Sequence, residues 1–274
     1  MNMISCSYDD YINVIKDQLN IKESHWTFKS IPQYQTVLEH VDKLTGERYF
    51  NEIKNRYMNL FEDNKNLLVT LCIENDQFGN PKKEHFDDFI YCSPTNLRYI
   101  LHSFLILEYI QKLNLNNLDI IEIGGGYGGL CFFIHKLSIL FNLNIVSYSI
   151  FDLLEASKLQ EKYLDNLNIK NSYTYQLDNF VNIKKNSFLI SNYAFSEITL
   201  DLQKKYSEQI IKPYTSNGLI CWNHIPVYQF TDKKIYIDKA FRVDNSKLFS
   251  TEFHLNNFEI CDKNNWIEEC VVTY

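Results

Sequence analysis

Five of the chain's eight glycines fall within six consecutive positions: Gly124, Gly125, Gly126, Gly128 and Gly129. No other feature limits the possible folds so tightly. Glycine reaches positive φ without steric cost and lets another group approach the main chain closely. Before the cluster, Leu118 to Ile123 is a short, nearly all-apolar run suited to a buried strand. After it, Tyr127 to Phe141 puts Leu130, Phe133, Ile134, Leu137 and Phe141 on one helical face. A strand that enters a glycine turn and leaves as a helix offers unpaired N–H groups and the positive end of a helix dipole. A ligand bearing a carboxylate or phosphate suits that place.

The same alternation continues along the chain. Ile145 to Phe151, Ser172 to Leu177, Ser187 to Asn192 and Gly218 to Asn223 read as strands two to five. Leu154 to Leu167 and Leu200 to Ile211 read as helices between them. This predicts an α/β fold with a mostly parallel sheet and helices on both faces. Phe258 to Cys261 and Ile267 to Tyr274, around Asp262 to Asn265, predict a terminal antiparallel hairpin at the sheet edge. Residues 225–256 are too long for a plain connection and are expected to be an insertion that helps shape a substrate site.

Residues 1 to about 92 carry helix-like spacing instead, at Tyr11, Val14, Ile15, Gln18, Leu19 and again at Val37, Leu38, Val41, Leu44. Leu67 to Ile73 fits either a buried strand or a helix turn, and Asp76 to Pro81 is a turn cluster. Ser93-Pro94-Thr95 opens a helix that runs to about Leu113. The expected division is therefore a helical region, 1–92, serving as a substrate cap or a dimer contact, and a catalytic domain, 93–274.

Composition excludes several classes. Hydrophobic residues make up 45% and charged ones 22%, which permits a buried core and argues against disorder. A net charge of −7 argues against a broad nucleic-acid footprint. Met1 to Asn20 contains Asp9 and Asp10 and no apolar block, and no apolar run approaches the roughly 20 residues of a membrane span. A soluble, cytoplasmic protein is expected. The seven cysteines form no C-x-x-C pair and no metal-binding spacing with histidine, so reduced thiols and no metal are expected.

The glycine turn alone leaves the ligand open. Gly124, Gly126 and Gly129 also satisfy the G-x-G-x-x-G of dinucleotide sites. Glu122, two residues before the first glycine, favours S-adenosylmethionine (SAM), because E-x-G-x-G looks like motif I of class I SAM-dependent methyltransferases. Asp152, at the end of strand two, can accept both ribose hydroxyls, but a nicotinamide enzyme places an acid similarly. SAM is the favoured ligand, with a nicotinamide dinucleotide and a purely structural turn as the alternatives.

Glu122-Ile-Gly-Gly-Gly-Tyr-Gly-Gly-Leu130 resembles the bacterial sugar O-methyltransferase family. So do Asn75-Asp-Gln-Phe-Gly-Asn-Pro81, Ser93-Pro-Thr-Asn-Leu-Arg-Tyr99, Phe151-Asp-Leu-Leu-Glu155 and Ser191-Asn-Tyr-Ala-Phe-Ser-Glu197. Leu154 stands where the family has proline. The resemblance covers roughly residues 75–225. It implies a Rossmann-like class I methyltransferase with a mostly parallel seven-stranded sheet and an antiparallel C-terminal strand. It also implies methyl transfer to a sugar hydroxyl, for example on a nucleotide-linked sugar for surface polysaccharide synthesis. Other acceptors, such as a small metabolite or a phosphate-type group, stay open, as does a homodimer.

Ligands of open α/β sheets lie outside the carboxyl ends of the strands, which selects the candidates. Glu122, Gly124, Gly125, Gly126 and Tyr127 are assigned to the cofactor's amino-acid end. Asp152 is assigned to its ribose, Leu153, Asp178 and Asn179 to the adenine, and Asn192 and Tyr193 to the side of the sulfonium. His224 is the candidate general base, since a base should titrate near neutrality. Glu197 is a second base or the partner that orients His224, and Asn192 completes the catalytic set. Arg98, Tyr193, Ser196 and Asn223 are assigned to substrate. Each has a plain structural alternative: a capped carboxylate for Glu122, a turn residue for Asp178, a first-turn helix acid for Glu197, and a salt bridge for Arg98.

Overall fold

The computed structural model describes residues 8–223, 227–228, 235–236, 254–256 and 269–273. The chain divides into two compact units. One takes in the residues up to Asn116 together with Gly126–Leu143 and Lys158–Lys170. The other takes in Asn117–Gly125, Asn144–Ser157 and the described residues from Asn171 onward. The division thus crosses the glycine turn, and residues 93–116 group with the N-terminal helices.

The first unit is mainly helical. Helix α1 (Tyr8–Leu19) turns Tyr11, Val14, Ile15 and Gln18 inward, following the spacing read from the sequence. A short α2 (Pro32–Gln35) follows. The expected helix over Val37 to Leu44 does not form. Residues 36–38 make a turn, and α3 (Lys43–Asp63) begins only after Asp42, whose carboxylate accepts the Thr45 N–H at 2.8 Å. A strong N-cap outweighs four apolar residues at suggestive spacing. Leu67 to Ile73 resolves as part of α4 (Lys65–Asp76). A small antiparallel hairpin, β1 (Glu84–Phe86) and β2 (Ile90–Cys92), was not anticipated. Helix α5 (Pro94–Lys112) starts as expected: Ser93 Oγ accepts from the Thr95 N–H at 3.3 Å and Pro94 holds the first helical position. Both α3 and α6 (Gly129–Leu137) pack against α5. The core here is built from Ile100, Leu101, Phe104 and Leu107 of α5 and Phe133, Ile134 and Leu137 of α6.

The second unit is built on the sheet. Strands β3 (Asn117–Ile123), β4 (Asn144–Phe151), β5 (Ser172–Tyr175), β6 (Ser187–Asn192) and β7 (Thr215–Asn223) run parallel, in the order β7-β6-β3-β4-β5. The chain works outward from β3 to β5, then returns to the other side of β3. The reversal therefore lies between β3 and β6, the position where ligands of such sheets bind. Two-residue strands β8 (Val227–Tyr228) and β9 (Ile235–Tyr236) pair separately. Strand β10 (His254–Asn256) pairs antiparallel with β11 (Glu269–Thr273), which pairs antiparallel with β7. The parallel part therefore has five strands and the antiparallel part is a pair, where the residue pattern predicted a hairpin and the family resemblance implied a single antiparallel strand. The partner of residues 269–273 is 254–256, whereas Phe258 to Cys261 lie outside the described residues.

Helix α7 (Leu154–Asn166) leaves the end of β4. Helices α8 (Ala194–Glu197), α9 (Leu200–Tyr206) and α10 (Lys212–Tyr214) follow β6. The predicted helix over 200–211 changes character at Ser207, where one wide turn runs to Ile211. Ile121, Ile123, Phe151, Leu189 and Ile220 from the strands meet Phe195, Tyr206, Ile210 and Ile211 in one buried cluster. This explains the near-continuous apolar runs of β3 and β6, as parallel strands buried on their faces require.

Among the described residues no helix is long and apolar enough to cross a membrane. Among them, no group of three or more His, Cys, Asp or Glu side chains is placed to hold a metal ion.

Candidate functional site

The glycine turn has the geometry its sequence demands. Gly124 (φ +77°), Gly126 (φ +60°) and Gly128 (φ +95°) all sit in the region that side chains rarely adopt. The Gly124 N–H donates to the Phe151 carbonyl at 2.9 Å, which ties the start of the turn to the end of β4. A Cβ at Gly124 would collide with Ala194, the first residue of α8. Ser191, fully buried near the end of β6, locks the same corner. Its hydroxyl donates to the Ile123 carbonyl at 2.8 Å and accepts the Phe195 N–H at 3.1 Å. Sequence reasoning gave Ser191 no role, although it opens the Ser191–Glu197 string.

Glu122 lies on β3 and is 1% exposed. Its Oε2 accepts the Tyr148 hydroxyl at 3.0 Å. Burial pushes its carboxyl up to about 8, the charge of Asp152 adds to the rise, and the Tyr148 hydrogen bond opposes it. This is the environment of a carboxyl that holds the strand pair together from inside the sheet, so its bond to Tyr148 is a structural commitment.

Asp152 follows β4 and is half-buried. Its main-chain N–H donates to the Tyr175 carbonyl at 3.0 Å, and its Oδ1 accepts the Leu153 N–H at 2.8 Å. That bond orients the carboxylate at the end of the strand. Leu153 beside it is 39% exposed, an apolar side chain left at the strand ends. Asp178 and Asn179 are exposed. Asp178 lies in a tight turn closed by the Asn179 N–H on the Gln176 carbonyl at 2.9 Å. Tyr206 of α9 senses both acids: burial raises its hydroxyl pKa first, and the charges of Asp152 and Asp178 raise it further. Sequence reasoning missed Tyr206, which nothing in its local pattern separates from a core tyrosine.

At the end of β6, Asn192 is half-buried and Tyr193 adopts φ +68°, a left-handed conformation for a bulky residue. Two contacts hold it there: the Tyr193 N–H on the Cys221 carbonyl at 2.9 Å, and the Ser196 hydroxyl on the Tyr193 carbonyl at 2.7 Å. Backbone strain of this kind persists where the surroundings over-determine it, and it gathers at functional sites. Ser196 is 1% exposed and turned back on its own chain, so its hydroxyl shapes this corner rather than facing a substrate as expected. Glu197, half-buried, ends α8. Asn223 is the last residue of β7, opposite Glu269. His224 lies outside the described residues.

The second unit thus gathers Gly124, Gly125, Asp152, Leu153, Asn192 and Tyr193 at the carboxyl ends of β3, β4 and β6. Two other candidates belong to the first unit. Tyr127 is fully buried, with its ring against Phe28, Tyr99 and Tyr163 and the Lys29 ammonium 4.1 Å from its centre. Its side chain is enclosed and does not line a cofactor site as expected. Arg98, on α5, is buried, and its Nη2 donates to the Leu38 carbonyl at 3.0 Å.

No family model matches the chain, and no curated protein matches it in sequence. Among solved structures, a SAM-dependent methyltransferase of Clostridium acetobutylicum is similar at 14% identity and a TM-score of 0.45, over 62% of this chain and 89% of that one. The magnesium protoporphyrin IX methyltransferase of Synechocystis, with bound SAM, is similar at 11% identity and a TM-score of 0.42, over 65% and 81%. A Galdieria sulphuraria protein, named as a sarcosine dimethylglycine methyltransferase, is similar at 16% identity and a TM-score of 0.36, over 48% and 47%. This chain spans about half the length of the Galdieria protein it matches.

Proposed function

We propose that this chain is a SAM-dependent methyltransferase that transfers a methyl group to a hydroxyl of a sugar, on a nucleotide-linked sugar or a glycan precursor. One observation carries the cofactor half of that reading. A central parallel strand ends in a left-handed glycine turn at the reversal point of the sheet, and an oriented carboxylate, Asp152, stands at the end of the next strand. Bare main chain beside an acid suits a nucleoside with an amino-acid end: Asp152 would hold the ribose hydroxyls and Leu153 would flank the adenine. The sugar half rests on the resemblance of the Ser191–Glu197 and Glu122–Leu130 strings.

SAM supplies an already activated methyl on sulfur. What the protein must do is bind, align and manage one proton. Alignment of a hydroxyl oxygen in line with the methyl can supply much of the rate, about 7–11 kcal/mol in favourable cases. Asn192 and the strained Tyr193, at the end of β6, are the groups placed to orient an acceptor. The acceptor proton is assigned to His224 as general base, with Glu197 as its partner or substitute. Arg98 and Asn223 would contact the substrate, while Ser196 shapes the turn at Tyr193.

Titration calorimetry with S-adenosylhomocysteine (SAH), with NADH in a parallel cell, tests the cofactor. SAH binding alone is expected, and NADH binding alone would replace this reading with an oxidoreductase. Mass spectrometry of products from a panel of nucleotide sugars tests the acceptor. A gain of one methyl on a sugar hydroxyl is expected, and methylation of only non-sugar acceptors would overturn the sugar assignment.

A further inference from the structure

Helix α8 is a single turn, and the corner it forms depends on how that turn ends. The Ile198 N–H still reaches the Ala194 carbonyl, at 3.2 Å. Ile198 (φ −80°, ψ 161°) and Thr199 (φ −63°, ψ 153°) are then extended and carry the chain out of the helix. The next carbonyl, that of Phe195, is therefore left without an N–H from its own helix. Phe195 is fully buried, so water does not serve it either. Gln203, on α9, supplies the missing donor: its side-chain Nε2 donates to the Phe195 carbonyl at 2.8 Å.

Phe195 is thus clamped at both ends, its N–H by the Ser191 hydroxyl of β6 and its carbonyl by the Gln203 amide of α9. Ser191 passes the hold on to the Ile123 carbonyl, at the end of β3. The residues just before Phe195 are the ones that need holding. Ala194 stands against Gly124, and Tyr193 keeps φ +68° with its carbonyl accepting from the N–H and the hydroxyl of Ser196. The clamp is not the cheapest way to fill this space. Gln203 is 3% exposed, and among the described residues its Oε1 has no hydrogen-bond partner. A buried amide with one end unbonded costs stability, which an apolar side chain of the same size would not.

We propose that Gln203 is a positioning residue for the cofactor corner: by holding the Phe195 carbonyl it keeps Ala194 against Gly124 and Tyr193 in its left-handed conformation. This assignment rests on the cofactor reading above, in which Gly124, Asn192 and Tyr193 face the cofactor. Gln203 itself touches no ligand and acts through the main chain of α8. One helical turn is too short to be stable alone, and a strained residue persists only where its surroundings over-determine it. The Gln203 amide is the part of those surroundings that comes from outside the Ser191–Glu197 string.

The experiment compares two variants of the full chain. Gln203→Leu removes the donor and keeps the bulk, whereas Ile210→Val loosens the same buried cluster and leaves the clamp intact. Amide deuterium exchange reads the corner, and calorimetry with SAH reads the site. Gln203→Leu is expected to speed exchange over residues 193–198 and to weaken SAH by about 10-fold, the worth of one typical hydrogen bond. Ile210→Val should change neither. Unchanged exchange at 193–198 overturns the clamp. Faster exchange with unchanged SAH affinity, or an equal loss of affinity in Ile210→Val, reduces Gln203 to a stabilising residue and overturns the positioning role. Should Gln203→Leu fail to fold, Gln203→Asn keeps an amide that is one methylene too short, with the same results expected and the same results overturning it. Wild-type protein that does not bind SAH instead sinks the cofactor reading, an outcome distinct from a failure of Gln203 alone.

Discussion

The Tyr148 hydroxyl donates to the Glu122 carboxylate across 3.0 Å, joining β4 to β3 inside the sheet. Both side chains are buried, so the bond has no water to replace it. Tyr148→Phe is expected to destabilise the protein by about 1–3 kcal/mol, the cost of leaving a buried polar partner unmade. A shift of the urea midpoint at unchanged slope measures it.

Glu122 also gives stability a defined pH dependence. Its carboxyl titrates near 8 in the folded chain, against about 4.5 in an unfolded one. Between those values the folded state keeps a proton that the unfolded state releases. Stability therefore falls as pH rises from about 4.5 to about 8, by at most about 1.4 kcal/mol per pH unit from this group. Glu122→Gln should flatten that limb in chemical denaturation at a series of pH values. A limb of unchanged slope would mean that Glu122 is not buried as described.

His102 acts with the opposite sign. It is buried against the edge of the Tyr49 ring, and burial lowers its pKa to about 3, with the charge of Arg98 adding to the effect. The unfolded chain takes up a proton there as pH drops below about 6.5, so stability should decline from that pH down toward 3. His102→Gln should blunt the acid limb, measured by thermal melts between pH 4 and 7.

In the first unit, Lys29 is 1% exposed and titrates near 8, lowered by burial and held up by Glu39 and Asp76. Asn75 supplies two of its contacts and accepts the Tyr163 hydroxyl as well, at 2.7 Å. Its amide donates to Asn96, which donates to Asp76, whose other oxygen accepts the Ser93 N–H. Asn75→Ala strips one acceptor from a buried cation and opens this chain of bonds, at an expected cost of about 3–5 kcal/mol. Lys29→Met, which removes the charge and keeps much of the length, should cost less. The reverse ranking in denaturant melts would show that the ammonium itself stabilises the fold.

Gly124→Ala combines two penalties. The new methyl meets Ala194, and φ +77° costs a side chain about 1–2 kcal/mol on its own. Adding Ala194→Gly removes the first penalty and not the second. The double variant should therefore recover part of the lost stability while SAH binding stays weaker than wild type. Full recovery of binding would mean that the left-handed turn is dispensable.

The sheet and its glycine turn were legible because period and residue type agree there. Leu118 to Ile123 and Ser187 to Asn192 are apolar enough to be buried parallel strands, and glycine is the residue least strained by the positive φ at 124, 126 and 128. The first unit was harder to read. Val37 to Leu44 has helical spacing, yet Asp42 caps a helix one residue later, and no count of apolar residues reveals a cap that dominates. Lys29 and Glu39 look like surface charges in sequence. Their burial depends on partners 46 and 56 residues away, at Asn75 and Thr95. Ser196 was assigned outward because strand ends carry ligands, but the reversal at Tyr193 turns its hydroxyl back onto the backbone.

The strand order has a consequence for the chain as it is made. Strand β3 gains its β4 neighbour from residues 144–151, but its other edge stays open until β6 arrives at residues 187–192. A nascent chain that has reached about residue 185 therefore presents the central strand of its sheet as an unpaired edge, the arrangement that invites pairing with another molecule. Truncation or ribosome stalling in that interval should yield aggregates, whereas release after β6 has paired should not.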